Sequence, residues 1–288
     1  MAGIIVSYTL GIESHWLWIA SFALIGMPHG AYDVWRLRDQ SQHPLTAWLK
    51  IALYLSIVVA YLFLWQSFPV FSLFLFLSLT AWHWGIADSY WIEQKMNFRR
   101  IYLGSLRGIW IVSIPIATDF QGATQIMESM VLQSSPHHFF FGQQWQLFFL
   151  TAGVASLLLE GVLHLLNRRL IFLGEAALLA FLACILPASL FLVAYFIAVH
   201  SWRYLYERFS VEGELFLKPT RWVIVAGISL ILVPIWYHLY SVDSPEASGA
   251  SLTASYLLLV SAFTLPHAIL LQIQDSRSKS PRFVSSRA

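Results

Sequence analysis

The 288-residue chain is poor in charge, with Asp, Glu, Lys and Arg making up only 11% of it, against roughly 25% in an ordinary soluble domain. With 58% of its residues hydrophobic, that scarcity excludes a soluble globular protein. A single cysteine, Cys184, lies within an apolar run. No intramolecular disulfide can form, and the redox compartment is not written in the sequence. The net charge is only +2 and the basic residues are dispersed, which argues against a nucleic-acid partner. There is no repeat of fixed period and no second domain, so a single integral membrane domain is expected over 1–273, followed by a polar, basic tail at 274–288. What the chain has in quantity is aromatic: 13 Trp, 12 Tyr and 21 Phe, a load that suits membrane-interface belts.

A membrane-spanning helix needs about 20 mostly apolar residues. Stretches without formal charge, divided at prolines and small polar residues, predict nine spans at about 10–30, 46–65, 69–88, 101–117, 145–166, 170–186, 188–205, 222–240 and 252–273. The two short spans between 170 and 205 must meet in a turn near Pro187. One helix there would separate Arg169 from Arg203 by about 50 Å, too far for a single crossing. Assigned to the nearest loops, all 17 Lys and Arg fall on one side of this arrangement. Cytoplasmic loops collect Lys and Arg, so the expectation is a multi-pass all-α bundle in the cell inner (plasma) membrane, with the N-terminus outside and the C-terminus inside. The first span has no positively charged leader before it and is expected to stay in the mature protein.

Five of the ten histidines, His29, His83, His164, His200 and His267, fall near the cytoplasmic ends of spans 1, 3, 5, 7 and 9, and so share one depth. Ionisable groups within a membrane are costly and usually face a bundle interior or water-filled cavity. His164 has no supporting motif and is expected only to hydrogen-bond a neighbour. The other four stand in Gly26-Met27-Pro28-His29-Gly30-Ala31-Tyr32-Asp33, Trp82-His83-Trp84-Gly85-Ile86-Ala87-Asp88, His200-Ser201-Trp202-Arg203-Tyr204 and Leu265-Pro266-His267-Ala268. Asp33 is one helical turn beyond His29, where a carboxylate can take the second ring proton of a metal-bound imidazole. Gly26 and Gly30 also fit a small-residue packing seam, and the two readings can coexist. Imidazoles suit Fe, Cu, Zn and Ni. No cysteine at this depth supports an iron–sulfur cluster and no histidine boxes support a di-iron centre; paired axial haem ligands stay open as an alternative, although such pairs usually recur on one span and here each span offers one His. A mononuclear site of three or four His fits best.

In these motifs, which run from the first predicted span to the last, the chain resembles the Brp/Blh family of membrane-bound β-carotene 15,15'-dioxygenases. The resemblance implies an Fe(2+) enzyme that uses O2 to split the central double bond of β-carotene into two all-trans-retinal molecules, taken up from membrane lipid and linked in function to a microbial rhodopsin. It implies His29, His83 and His200 as iron ligands. The family often carries a second His one turn after the third of these, where this chain has Tyr204. Either His267 completes the site, or Tyr204 coordinates or supports it, or three His suffice. Asp33 and Asp88 are expected to fix imidazole tautomers, and Trp82, Trp84 and Trp202 to line a polyene tunnel. A transporter or channel with a His/Asp ion path, or a member that binds carotenoid or retinal without cleaving it, are the alternative readings.

Overall fold

The computed structural model describes residues 27–39, 41–134, 140–206 and 249–277, with a few isolated positions between 220 and 227. Among the described residues there are nine α-helices and no strands. In chain order these are α1 (Met27–Asp39), α2 (Pro44–Ser67), α3 (Pro69–Ser89), α4 (Phe98–Thr118), α5 (Phe120–Ser134), α6 (Gln143–Leu166), α7 (Leu170–Ile185), α8 (Ala188–Tyr195) and α9 (Gly249–Arg277). A π-helical turn, Phe196–Ser201, continues α8, and the apolar segment as a whole runs from Ala188 to Tyr206. Six helices among the described residues, namely α2, α3, α4, α6, the extended α8 and α9, are long and apolar enough to cross a membrane; α7 is apolar but shorter. The expected spans at 10–30 and 222–240 lie almost wholly outside the described residues.

Prolines set several of the helix limits. Pro69 pushes the residue before it out of helical geometry, and Phe68 (φ −141°, ψ 64°) alone separates α2 from α3. At the expected break near Pro187, Leu186 is extended and α8 restarts at Ala188. That turn is tied down from two sides: Thr118 Oγ1 donates to the Ala183 carbonyl at 2.8 Å, and the Ala188 amide donates to Asp119 Oδ2 at 2.9 Å. Asn97 caps α4 by accepting from the Arg100 amide at 2.8 Å, a standard way of satisfying a first-turn donor.

Three expectations are corrected. The segment 118–144, left between the expected spans 101–117 and 145–166, contains the helix α5, whose apolar face is interleaved with polar residues. The helix that holds Asp33 runs on to Asp39, so Arg36 and Arg38 are helical rather than in a loop. Arg107, counted as a loop cation when the orientation was assigned, is fully buried in α4.

The bundle buries one narrow face of α2, at Ala47, Tyr54, Val58, Tyr61 and Trp65, while large side chains such as Leu49, Leu53 and Phe63 are exposed. The same holds for Leu158 and Leu166 of α6 and Phe181 of α7. Apolar exteriors of this extent mark a membrane or interaction surface. Trp65 Nε1 donates to Ser261 Oγ at 2.9 Å and ties α2 to α9. The closest packing is between α3 and α4, backbone against backbone. A Cβ added at Gly108 would stand 1.7 Å from the Ala81 carbonyl oxygen, and one at Gly85 would stand 1.9 Å from that of Gly104. Gly104 and Gly108 thus form the small-residue seam that lets membrane helices approach. Because Ala81 is two residues from His83, Gly108→Ala should push α3 outward. Thermal inactivation in detergent should show a loss at the upper end of the ~1–3 kcal/mol that overpacking costs.

Candidate metal centre

Three of the four motif histidines meet. His83 comes from the last third of α3, His200 from the π turn after α8, and His267 follows Pro266 inside α9. π turns interrupt helices most often at functional sites, and this one carries both His200 and Ser201, each buried. The ring centre of His83 lies 4.9 Å from that of His200 and 4.9 Å from that of His267, edge-on to both. All three rings are buried. The side chain of His29 lies outside the described residues.

Two carboxylates stand behind the rings, with partners that differ from the nearest ones in sequence. Asp33, fully buried, sits 2.6 Å from His267 Nδ1 through its Oδ2. A carboxylate that accepts from Nδ1 leaves an imidazole's lone pair on Nε2, the atom a metal needs. Asp88 lies 3.6 Å from His200 Nδ1, across the bundle. Each acid therefore serves a histidine on another helix, a pairing that spacing within one motif does not reveal. Trp84 packs on His200 at 5.7 Å between ring centres, and Tyr204 lies edge-on to His267 at 6.1 Å.

Three imidazoles on one ion, with nitrogen–metal bonds near 2.1 Å and bond angles of about 90–110°, have ring centres roughly 4.6–5.3 Å apart. The two measured separations fall in that range, and the set is purely neutral nitrogen donor. Among the described residues no group of three or more His, Cys, Asp or Glu side chains has its donor atoms already drawn together for a metal. The two ring separations and the donor chemistry are those of an imidazole-held ion.

A network of buried charge backs Asp88 and was missed in the sequence. Tyr195 donates a hydrogen bond to Asp88 Oδ2, while Arg203 and Arg107 approach the same oxygen at 3.5 and 3.8 Å. Arg107 also holds Glu160 at 3.1 Å and donates to Glu175, and Arg203 reaches Glu175 at 2.6 Å. Trp110 donates to Glu160, and His164 Nε2 lies 3.1 Å from it. The signal was present: Arg107, Glu160 and Glu175 each fall inside a predicted span, where an ionisable group is expensive unless paired.

An elongated cavity, partly open to the exterior, begins at His83 and His267. It runs back along α3 to Leu73 and along α9 to Leu257, ten residues or about 15 Å on each helix. Apart from the two imidazoles, Tyr54, Thr80, Ser189 and Thr264, its wall is almost entirely apolar. Trp84 lines it, but Trp82 and Trp202 do not: they are 38% and 66% exposed and point outward. Of the three Trp expected to face one tunnel, only Trp84 does so; Trp82, on the opposite side of His83 around α3, and Trp202, two places from His200, are turned out of it.

Comparison with known proteins finds a family and two curated relatives. A family model described as Beta-carotene 15,15'-dioxygenase matches residues 20–275. The chain is 25% identical over 280 residues to the beta-carotene 15,15'-dioxygenase of uncultured marine bacterium 66A03, covering 89% of this chain and 92% of that one. It is 24% identical over 293 residues to the probable beta-carotene 15,15'-dioxygenase Blh of Halobacterium salinarum, covering 89% and 83%. No solved structure matches it significantly. The family match spans most of the sequence and includes every residue of the histidine cluster, so this helical membrane protein belongs to the beta-carotene 15,15'-dioxygenase family.

Proposed function

We propose that the chain is a membrane-embedded, non-haem Fe(2+) dioxygenase that cleaves β-carotene with O2 at its central 15,15' double bond, releasing two molecules of all-trans-retinal. One observation carries the reading: the histidine cluster stands at one end of an apolar cavity about 15 Å long. A C40 carotenoid is a rod of about 30 Å, near the thickness of the hydrocarbon core. One half of that rod fills the cavity while its midpoint rests against the imidazoles. Site choice is then a matter of position along a rod, with no acid or base required.

His83, His200 and His267 would hold the iron, with His29 as a fourth ligand. Bound there, ferrous iron supplies the O2 activation that a hydrocarbon polyene cannot provide for itself, and each retinal takes one oxygen atom. Asp33 holds His267 in the tautomer that presents Nε2, and Asp88, fixed by Tyr195, Arg203 and Arg107, faces His200. Tyr204 packs against His267 and steadies that ring instead of acting as a ligand. The apolar wall excludes water and receives the substrate from lipid. The proposal includes nine crossings of the plasma membrane with a cytoplasmic C-terminus, and a retinal-dependent rhodopsin as the consumer of the product.

Expression in a β-carotene-producing bacterium tests the activity: orange colour should fade as retinal accumulates. Folded, iron-loaded protein that yields no retinal would overturn the reading. Removing the support behind one ligand has a smaller effect. Asp33→Ala should lower iron affinity by about 10–100-fold, measured by metal titration of purified protein, and Asp33→Asn should retain part of it because its amide oxygen still accepts from Nδ1.

A further inference from the structure

The helix α5 has no part in the histidine cluster, yet it borders the cavity. Ala123, Ile126, Met127 and Met130 all line it, and their spacing of three, one and three residues defines a single helical face. On other faces Gln121 and Gln125 are exposed. Met127 and Met130 are buried in the same apolar cluster as Leu73, Ala188 and Ala254. These last three stand near the first residues of α3, α8 and α9, the ends opposite to His83, His200 and His267. Asp119, the residue before α5, accepts from the amide of Ala188, the first residue of α8, at 2.9 Å, so the helix borders the cavity at the end remote from the histidines.

We propose that α5 is the end-stop of a substrate ruler, with Met127 and Met130 setting how long an arm of a carotenoid the cavity accepts. This inference rests on the carotenoid-cleaving reading and adds to it the residues that determine substrate length. The physical basis is the ~15 Å between the histidine level and Leu73 on α3. A ring-bearing C20 arm fills that length, so its terminal ring abuts the methionines when the central bond lies at the imidazoles. Methionine is unbranched and adaptable, which suits a wall that must close around a bulky ring. A larger, stiffer side chain at Met130 shortens the slot without touching the histidines. A substrate with one ring-bearing arm and one shorter, ringless arm then still fits by its short end, whereas β-carotene, ringed at both ends, does not.

The test compares two substrates in one purified, iron-loaded protein: β-carotene, and a C30 apocarotenal that keeps a single ring. Retinal is quantified from each. Wild-type protein should cleave both. Met130→Trp should lower the rate on β-carotene relative to the C30 apocarotenal by at least about tenfold, a ratio that loss of folded protein or of iron leaves unmoved. If Met130→Trp does not accumulate, Met127→Phe carries the same comparison. An unchanged ratio in a variant that still cleaves the C30 substrate overturns the ruler and leaves the cleavage reading intact. A wild-type protein that makes retinal from neither substrate overturns the cleavage reading, and the ruler with it.

Discussion

Purified His83→Ala protein should lose its iron and make retinal more than about 100-fold more slowly than wild type. Loss of support behind a ligand costs roughly 10–100-fold in metal affinity, and loss of the ligand itself exceeds that. His83 is the most telling of the three positions because its ring is within 4.9 Å of both other rings. The same substitution also removes a wall of the cavity, so the two effects must be separated. Metal analysis does this, since a lost wall lowers turnover while iron stays bound. Trp202→Ala provides the contrast: this side chain lies two residues from His200 but is exposed, and iron content should be unchanged. Retention of full iron and full activity by His83→Ala would remove the basis for the proposed centre.

The second large effect concerns stability. Arg107→Ala should destabilise the protein by about 3–5 kcal/mol, the usual cost of removing one partner from a buried ion pair. Arg107 reaches Glu160, Glu175 and Asp88 from the middle of α4. Its own side chain and those of Asp88 and Glu160 are almost wholly buried. Deleting the guanidinium leaves the buried Glu160 carboxylate without its arginine partner, while Asp88 and Glu175 keep Arg203. The cost arises from that uncompensated charge and not from the strength of the pair. Arg107→Ala combined with Glu160→Gln should therefore recover part of the loss, as thermal inactivation in detergent would show. Arg107→Lys should fall between, because an ammonium is a single point charge and cannot reach three carboxylates as a planar five-donor group does. Equal stability of Arg107→Ala and wild type would show that the network does not hold these helices together.

Much of this arrangement is legible in the sequence because a bilayer imposes length and hydropathy together. The segments expected at 46–65, 69–88, 101–117, 145–166 and 170–186 correspond to α2, α3, α4, α6 and α7, and the break at Pro187 falls where two short helices had to meet. The histidines were legible for a related reason: a polar ring in an apolar span is conspicuous. Less legible were the relations between helices. Asp33 is four residues from His29 in sequence, yet its observed partner is His267 on α9. Asp88 follows His83 but faces His200. Nothing in one helix states which neighbour it will meet. Arg107 was read by its charge alone, as a loop marker, although its location within an apolar stretch already required partners. The helix α5 escaped notice because its polar face lowers its hydropathy below that of a span, and the face that lines the cavity is only four residues wide.

The measurement that reaches the central claim most directly is the product balance of purified, iron-loaded protein supplied with β-carotene and O2. A cluster set at half a rod's length from a closed end predicts two molecules of retinal for each β-carotene consumed, with no other aldehyde. An unequal pair of longer and shorter aldehydes would show that the midpoint of the polyene does not lie at His83, His200 and His267.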